Sequence, residues 1–126
     1  YVLMGDYRIL IVDDIPTNVV LIAAIIKKLG AKYETAACGE EALAKVESFR
    51  PDIVLLDLML PDIDGCDVIR SIRQHYTKEE MAIVVTSAIS DYDTITECYN
   101  LGADDYIAKP IMVDRLLNTL EIHAKK

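Results

Sequence analysis

An apolar run that ends in a carboxylate constrains the fold of this chain more than any other feature. Residues 53–56 are all apolar, Asp57 follows them, and Pro61 and Gly65 then indicate a loop. A short continuous apolar run of this kind is typical of a strand that is buried on both faces, as in a parallel sheet. Open α/β sheets bind their ligands at the carboxyl ends of the strands, so Asp57 is the first candidate for a functional residue.

The same pattern recurs along the chain and predicts its fold class. Apolar or alternating segments predict strands at residues 8–12, 32–37, 52–56, 82–86 and 106–108. Segments with helical spacing predict helices at residues 16–29 and 39–49, a third helix capped by Asp64, a fourth opened by Ser90 and Asp93 and running to about residue 100, and a fifth at residues 112–123. Strict alternation with short connections predicts an α/β fold with a parallel sheet and helices on both faces.

Length and composition limit the protein class. A chain of 126 residues is expected to form one domain, and its 52% apolar content argues against disorder. A net charge of −8 disfavours direct binding of nucleic acid. No apolar run is long enough for a membrane span and no signal peptide is visible, so we expect a cytoplasmic protein. The chain starts at Tyr1 instead of Met, which indicates a fragment of a longer protein or a processed form.

Cysteine and histidine do not form a recognisable metal motif. The three cysteines, Cys38, Cys66 and Cys98, are odd in number and have no CxxC spacing, so we expect free thiols in a reducing compartment. His75 and His123 fall in predicted helices away from the carboxyl ends of the strands. They are therefore interpreted as surface or packing residues, and a zinc site is not favoured.

Polar residues at the ends of four predicted strands form the candidate site. The loops that follow parallel strands lie along one edge of the sheet, so these residues are expected to meet there. They are Asp13, Asp14, Asp57, Ser87 and Lys109. Clustered carboxylates repel one another less when a divalent cation lies among them, and Mg²⁺ prefers a few oxygen ligands and several waters. A lysine and a hydroxyl can bind phosphoryl oxygens, so the set indicates phosphoryl transfer to an aspartate, whereas each residue alone is equally well explained as a helix cap or a strand-end charge.

Four motifs give the chain a resemblance to a known family. They are Ile-Leu-Ile-Val-Asp-Asp at 9–14, Val-Leu-Leu-Asp-Leu-Met-Leu-Pro-Asp-Ile-Asp-Gly at 54–65, Thr-Ser-Ala at 86–88, and Gly-Ala-Asp-Asp-Tyr-Ile-Ala-Lys-Pro at 102–110. With them the chain resembles the receiver domains of two-component response regulators over about residues 7–124. The resemblance implies a single receiver domain, residues 1–126, with a flavodoxin-like, doubly wound (βα)5 sandwich. Its five-stranded parallel sheet would have the order 2-1-3-4-5.

The resemblance also implies a role for each site residue. Asp57 matches the phosphoacceptor, which takes a phosphoryl group from a phosphohistidine. The Mg²⁺ ligands would be Asp13, Asp14, Asp57 and the backbone carbonyl of Met59. Lys109 matches the lysine that contacts the phosphoryl group, and its bond to Pro110 is cis in the family.

Ser87 and Tyr106 match the switch pair of the family. Thr86 is the alternative hydroxyl, but neighbouring strand residues point to opposite faces of a sheet. Ser87 is followed by Ala88, which fits the family pattern of a hydroxyl and then a small residue, so Ser87 is the predicted switch residue and Thr86 a packing residue. Phosphorylation of Asp57 would draw Ser87 toward the new phosphoryl oxygens, and the Tyr106 ring would turn inward into the space that Ser87 leaves. That movement would change the surface of helix 4, strand 5 and helix 5.

The implied partners follow from the same resemblance. The phosphodonor would be a sensor histidine kinase or a histidine phosphotransfer protein, docked on the first helix beside Ile15 and Pro16. An output or kinase domain in a longer protein and a phosphorylation-dependent homodimer are also implied. However, Asn118 and Thr119 stand where the DNA-binding subgroup carries an arginine, which argues against the dimer of that subgroup.

In this interpretation the chain is a phosphoacceptor switch and no classical enzyme, although it assists its own phosphotransfer and autodephosphorylation. Two apolar residues, Met59 and Ile89, would flank the phosphoryl group and are predicted to slow its hydrolysis.

Three alternative functions fit the sequence less well than this one. A metal-dependent aspartyl phosphatase would need a second acid two residues after the nucleophile, where Met59 stands. A flavin- or nucleotide-binding module would need a glycine-rich phosphate loop after the first strand, but residues 15–18 contain no glycine. An interaction domain that keeps only the fold is not favoured, because every predicted site position carries the residue that the chemistry needs.

Overall fold

The computed structural model describes residues 3–124 and shows strands and helices in strict alternation. The elements are β1 (Arg8–Val12), α1 (Pro16–Leu29), β2 (Lys32–Ala36), α2 (Gly39–Phe49), β3 (Ile53–Asp57), α3 (Gly65–His75), β4 (Ala82–Ser87), α4 (Tyr92–Leu101), β5 (Asp105–Ala108) and α5 (Val113–Ala124). All strand pairs are parallel, and the sheet order is β2-β1-β3-β4-β5. The predicted fold class and strand order are therefore confirmed. Tyr1 and residues 2, 125 and 126 lie outside the described residues, and the single domain over 1–126 stays a prediction.

The three central strands are buried on both faces, which explains their continuous apolar sequences. Because successive side chains alternate between the faces of a strand, Leu10, Val54 and Ile83 pack toward α2, α3 and α4. Their neighbours Ile9 and Ile53 pack on the other face, toward α1 and α5. Burying each such side chain stabilises the fold by about 1.5–3 kcal/mol relative to exposure. Two core layers on one sheet thus hold the strand ends in place.

Helix ends agree with the sequence at α1 and α3 and differ at α4. Gly30 ends α1 in the left-handed conformation, with φ 75°. Asp64 caps α3 and accepts a hydrogen bond from the amide of Cys66 at 2.9 Å. The prediction that Ser90 opens α4 is wrong by one residue, since Asp91 is the cap and accepts from the amide of Thr94 at 3.0 Å. Asp91 also accepts from the Thr94 hydroxyl, and this second bond favours the carboxylate as the cap.

Two site residues lie inside strands, whereas the sequence placed them just beyond. Asp57 pairs in register with Thr86, and Ser87 pairs in register with Ala108. Pairing with neighbouring strands extends β3 and β4 by one residue each, which fixes the backbone of both functional side chains. No helix among residues 3–124 combines the length and the apolar composition that crossing a lipid bilayer requires.

Candidate functional site

Three carboxylates converge at the carboxyl ends of β1 and β3. One oxygen from each of Asp13, Asp14 and Asp57 lies within 4.8 Å of the others. Asp13 and Asp57 are only 2% and 3% exposed, whereas Asp14 is exposed to solvent. The cluster therefore has a buried floor and one wet side. Hard oxygen donors with access to water suit Mg²⁺, which keeps several waters when it binds.

Lys109 joins the two buried carboxylates. Its Nζ lies 2.9 Å from Oδ2 of Asp13 and 3.1 Å from Oδ2 of Asp57. Burial lowers the pKa of Lys109, but the hydrogen bonds and charges of the two carboxylates outweigh burial and raise the pKa above its ordinary value. The lysine is therefore a fixed positive charge at neutral pH. The peptide bond from Lys109 to Pro110 is cis, as the resemblance implies.

Backbone amides hold the other oxygen of each buried carboxylate. The amide of Ile15 donates to Oδ1 of Asp13 at 2.9 Å, and the amide of Met59 donates to Oδ1 of Asp57 at 3.0 Å. The loops after β1 and β3 thus curl around their own aspartates. Each carboxylate keeps one oxygen on the backbone and presents the other to Lys109, so its orientation is set before any ligand binds.

The structure brings Ser87 and Tyr106 into one region, beside the acidic cluster. Ser87 is fully buried, and its Oγ accepts a hydrogen bond from the amide of Ile89 at 3.0 Å. Tyr106 is 8% exposed and packs in the core with Cys98. Burial raises the pKa of the Tyr106 phenol, and the nearby Ser87 hydroxyl opposes that shift. Within residues 3–124, however, no partner forms a hydrogen bond of normal geometry with the phenol.

The remaining predicted residues lie where the sequence suggested. Thr86 is buried in β4, as a packing residue would be, and Met59 stands at the rim of the site with 62% exposure. His75 is exposed at the end of α3. His123 is buried in α5, where its Nε2 lies 3.2 Å from Oδ2 of Asp105. Among the described residues, neither histidine joins a group able to hold a metal ion.

Sequence reasoning missed a residue that anchors the loop after β3. Asp62 accepts hydrogen bonds from the amides of Gly39 at 2.7 Å and Glu40 at 2.9 Å, so it caps α2 from outside that helix. These amides lower the pKa of the Asp62 carboxyl. Cys38, which precedes α2, makes no side-chain cap of its own. No sequence signal marks Asp62 as a cap, because the helix that it caps begins 23 residues earlier.

The sequence of the chain matches a family model and two curated proteins over most of its length. The family model described as the response regulator receiver domain matches residues 9–121. The transcriptional regulatory protein TrcR of Mycobacterium tuberculosis is 36% identical over 115 residues, which are 90% of this chain and 43% of that protein. The aerobic respiration control sensor protein ArcB of Escherichia coli is 35% identical over 112 residues, which are 86% of this chain and 14% of that protein. The chain spans less than half the length of these curated relatives.

Solved structures with the same fold cover nearly the whole chain. A two-component response regulator from Clostridium difficile aligns with a TM-score of 0.90 at 27% identity. The alignment covers 96% of this chain and 98% of the other chain. The BeF3-activated N-terminal receiver domain of Klebsiella pneumoniae RstA aligns with a TM-score of 0.88 at 30% identity, and the alignment covers 94% of this chain and 99% of the other chain. Sequence and fold comparisons therefore agree.

Proposed function

The chain belongs to the response regulator receiver domain family, and we propose that Asp57 is its phosphoacceptor in a two-component phosphorelay. The observation that carries the proposal is the contact of one lysine, Lys109, with both buried carboxylates of a cluster of three. A surface patch of acids does not need such a lysine. A carboxylate that must accept a phosphoryl group does, because the transferred group brings further negative charge into the site.

The acidic cluster is proposed to hold Mg²⁺. Asp13, Asp14, Asp57 and the backbone carbonyl of Met59 are the proposed ligands, and the oxygen donors and the wet side at Asp14 fit the preferences of this ion. When bound, Mg²⁺ supplies positive charge that offsets the carboxylates and the phosphoryl oxygens.

The side chains of the site divide the transfer among them. A carboxylate oxygen of Asp57 forms the new bond to phosphorus while the bond from phosphorus to the donor histidine nitrogen breaks, and the electron pair of that bond stays on the nitrogen. Nζ of Lys109 contacts Oδ2 of Asp57 and is therefore close enough to form an ion pair with the oxygens of the transferred phosphoryl group. Ser87 then donates a hydrogen bond from its hydroxyl to a phosphoryl oxygen. Its Oγ accepts a hydrogen bond from the amide of Ile89, and that bond does not use the hydrogen of the hydroxyl.

The movement of Ser87 is proposed to reach partners through Tyr106. The Tyr106 ring neighbours Ser87 and packs among buried residues of α3 and α4. The strand residue before Tyr106 is Asp105, which accepts a hydrogen bond from Arg115 at 3.1 Å and lies 3.2 Å from Nε2 of His123. Both of these residues belong to α5. A shift of Tyr106 therefore acts on α4, β5 and α5 together. This surface is proposed to signal to an output or kinase domain, or to a second copy of the chain.

The phosphodonor is proposed to dock on α1. Ile15, Val20 and Leu21 are exposed apolar residues at the start of α1 and along it, and Val20 lines a groove together with Asp13 and Asp14. A groove of about 290 Å³ continues this surface between α1 and α5, lined by Leu21, Ala24, Ile25, Lys28, Val113 and Leu117. An apolar helix face of a histidine kinase or phosphotransfer protein fits such a surface. We place the protein in the cytoplasm, where these donors present their phosphohistidines.

Intact mass spectrometry after incubation with acetyl phosphate tests the acceptor. We expect a single phosphoryl adduct on the wild type that needs Mg²⁺ and that is absent from Asp57→Asn. Asp93→Asn is the matched control, because Asp93 is an exposed carboxylate on α4 outside the cluster, and it should behave as the wild type. An adduct that persists in Asp57→Asn would contradict the assignment. No adduct with either acetyl phosphate or a phosphohistidine donor would overturn the proposed function.

The lifetime of the phosphoryl group is proposed to depend on Met59 and Ile89. Both residues follow strand ends at the rim of the site and are apolar, which hinders positioning of the hydrolytic water. The double variant Met59→Asn, Ile89→Lys should hydrolyse its phosphoaspartate about tenfold faster, which corresponds to about 1.4 kcal/mol in the barrier. Loss of the adduct with time, read by intact mass, measures the rate. A wild type that hydrolyses as fast as the double variant, or faster, would disprove the role.

A further inference from the structure

The loop that joins β3 to α3 carries groups of the proposed site but has little backbone support in its middle. Residues 58–64 lie in neither a helix nor a strand. Within residues 3–124, no hydrogen bond between two backbone groups involves residues 59–63. The amide of Met59 donates instead to the carboxylate of Asp57, at 3.0 Å. The position of this loop therefore depends on contacts of its side chains.

Asp62 connects the middle of this loop to the first turn of α2. Its Oδ1 accepts a hydrogen bond from the amide of Gly39 at 2.7 Å, and its Oδ2 accepts one from the amide of Glu40 at 2.9 Å. Oδ1 also accepts from the amide of Ile63 at 2.9 Å, so the loop itself orients the carboxylate. The amides of Glu40 and Gly39 lower the pKa of the Asp62 carboxyl. The contact is therefore made by an ionised carboxylate at the positive end of a helix.

Apolar packing brings the loop and α2 together at the same place. A Cβ at Gly39 would lie 2.9 Å from Cβ and 3.1 Å from Cδ1 of Ile63, so the loop lies directly against the first turn of α2. Ile63 is half-buried and packs on the core cluster that contains Ala42 of α2. One polar and one apolar contact with α2 therefore hold the middle of the loop in position.

We propose that Asp62 is a positioning residue for phosphoryl acceptance, because it fastens to α2 the loop that places Met59 beside Asp57. The amide of Met59 orients a carboxylate oxygen of the acceptor, and its carbonyl is a proposed Mg²⁺ ligand. Groups behind the ligands of a metal site orient those ligands, and their loss typically weakens metal binding or activity about 10–100-fold. The effect on phosphoryl transfer rests on the proposed function above, whereas the contact of Asp62 with α2 does not.

The alternative is that Asp62 only stabilises α2 as a helix cap. Cys38 occupies the N-cap position of that helix in an extended conformation, and its side chain makes no capping hydrogen bond. Serine or aspartate at an N-cap accepts hydrogen bonds from the first amides of the helix. Replacing Cys38 by either residue in the Asp62→Ala variant therefore restores a cap to α2 without reconnecting the loop. The two roles of Asp62 can be separated in this way.

The rate of adduct formation with acetyl phosphate and Mg²⁺ distinguishes the two roles. It is measured by intact mass, without urea, on variants that have native circular dichroism spectra. Asp62→Ala should form the adduct about tenfold more slowly than the wild type. Adding Cys38→Ser or Cys38→Asp, whichever restores the stability in urea, should leave the rate low. Recovery of the wild-type rate with the new cap, or a wild-type rate in Asp62→Ala itself, would overturn the positioning role.

Gly39→Ala moves the loop while it leaves the carboxylate of Asp62 in place. Alanine favours a helix more than glycine does, but its Cβ would push Ile63 and the loop away from α2. We therefore expect slower adduct formation without a loss of the α2 cap. A wild-type rate in a variant that keeps its native circular dichroism spectrum would overturn the link between this contact and the acceptor.

Titration calorimetry with Mg²⁺ gives a readout that needs no phosphoryl transfer. Asp62→Ala should bind Mg²⁺ about tenfold more weakly than the wild type, because the loop no longer holds the carbonyl of Met59. Asp93→Asn removes an exposed carboxylate elsewhere and should bind as the wild type does. Equal affinities of Asp62→Ala and the wild type would overturn the positioning of the ligands by Asp62. A wild type that forms no adduct would overturn the proposed function and leave this comparison of affinities readable, so the two failures are distinguishable.

Discussion

Replacing Arg73 by leucine is expected to lower the free energy of unfolding by about 3–5 kcal/mol, the range for breaking a buried ion pair. The side chains of Arg73 and Asp104 are 12% and 3% exposed, and Nη2 of Arg73 lies 2.8 Å from Oδ2 of Asp104. The guanidinium also donates to four backbone carbonyls, those of Tyr76, Thr77, Met81 and Gly102. Leucine removes these donors. The Asp104 carboxylate then keeps most of its burial and its hydrogen bond from the amide of Ile83, but it loses the charge of Arg73.

Arg70→Leu is the matched control for this prediction. Arg70 lies in the same helix one turn earlier, is half exposed, and pairs with the exposed side chains of Asp67 and Glu97. Exposed pairs of this kind contribute about 0–1 kcal/mol, so the control should unfold nearly as the wild type does. Urea denaturation followed by circular dichroism measures both. If Arg73→Leu and Arg70→Leu lost equal stability, the contacts of the Arg73 guanidinium would not be what holds the segment between α4 and β5 in place.

The contrast between these two arginines shows where the sequence stops being informative. Both residues fall on a predicted helix. Nothing in the local sequence pattern distinguishes the buried guanidinium of Arg73 from the exposed ion pairs of Arg70. The difference arises because Gly102 and Asp104 pass the end of α3 in space, which only the lateral packing of helices decides. Asp62 was missed for the same reason.

Residues at strand ends could be predicted, because topology alone brings them together. Once five parallel strands are inferred, Asp13, Asp57 and Lys109 must lie at one edge, whatever the details of packing. Topology does not predict two local features, namely which residue caps α4 and which residue ends each strand. Ser90 and Asp91 are both acceptable helix caps by residue type, and the two bonds to Thr94 decide for Asp91. The last residue of each strand depends on pairing with a neighbour, so Asp57 and Ser87 were placed one residue outside their strands.

Gly65→Ala is expected to lower the free energy of unfolding by about 2–3 kcal/mol, within the range for overpacking a tight site. A Cβ at residue 65 would lie 2.5 Å from Cα and 2.8 Å from Cδ2 of Leu58. Leu58 follows the proposed phosphoacceptor directly, and the amide of Gly65 donates to the carbonyl of Leu58 at 3.1 Å. Since the obstacle is backbone, the loop must move, and the bond from the amide of Met59 to Asp57 moves with it. We therefore also expect slower uptake of the phosphoryl group.

Gly5→Ala supplies the comparison, because a Cβ there would meet no atom within 4 Å. Its stability should stay within about 0.5 kcal/mol of the wild type, as for an ordinary surface substitution. Urea denaturation gives the stabilities, and the rate of adduct formation with acetyl phosphate gives the effect on the site. If Gly65→Ala were as stable as Gly5→Ala and took up the phosphoryl group as fast, the close approach of α3 to Leu58 would not position Asp57. Adduct formation can also be compared without urea, at a temperature where Gly65→Ala remains folded. Slower formation there would show that the contact orients the acceptor as well as stabilising the loop.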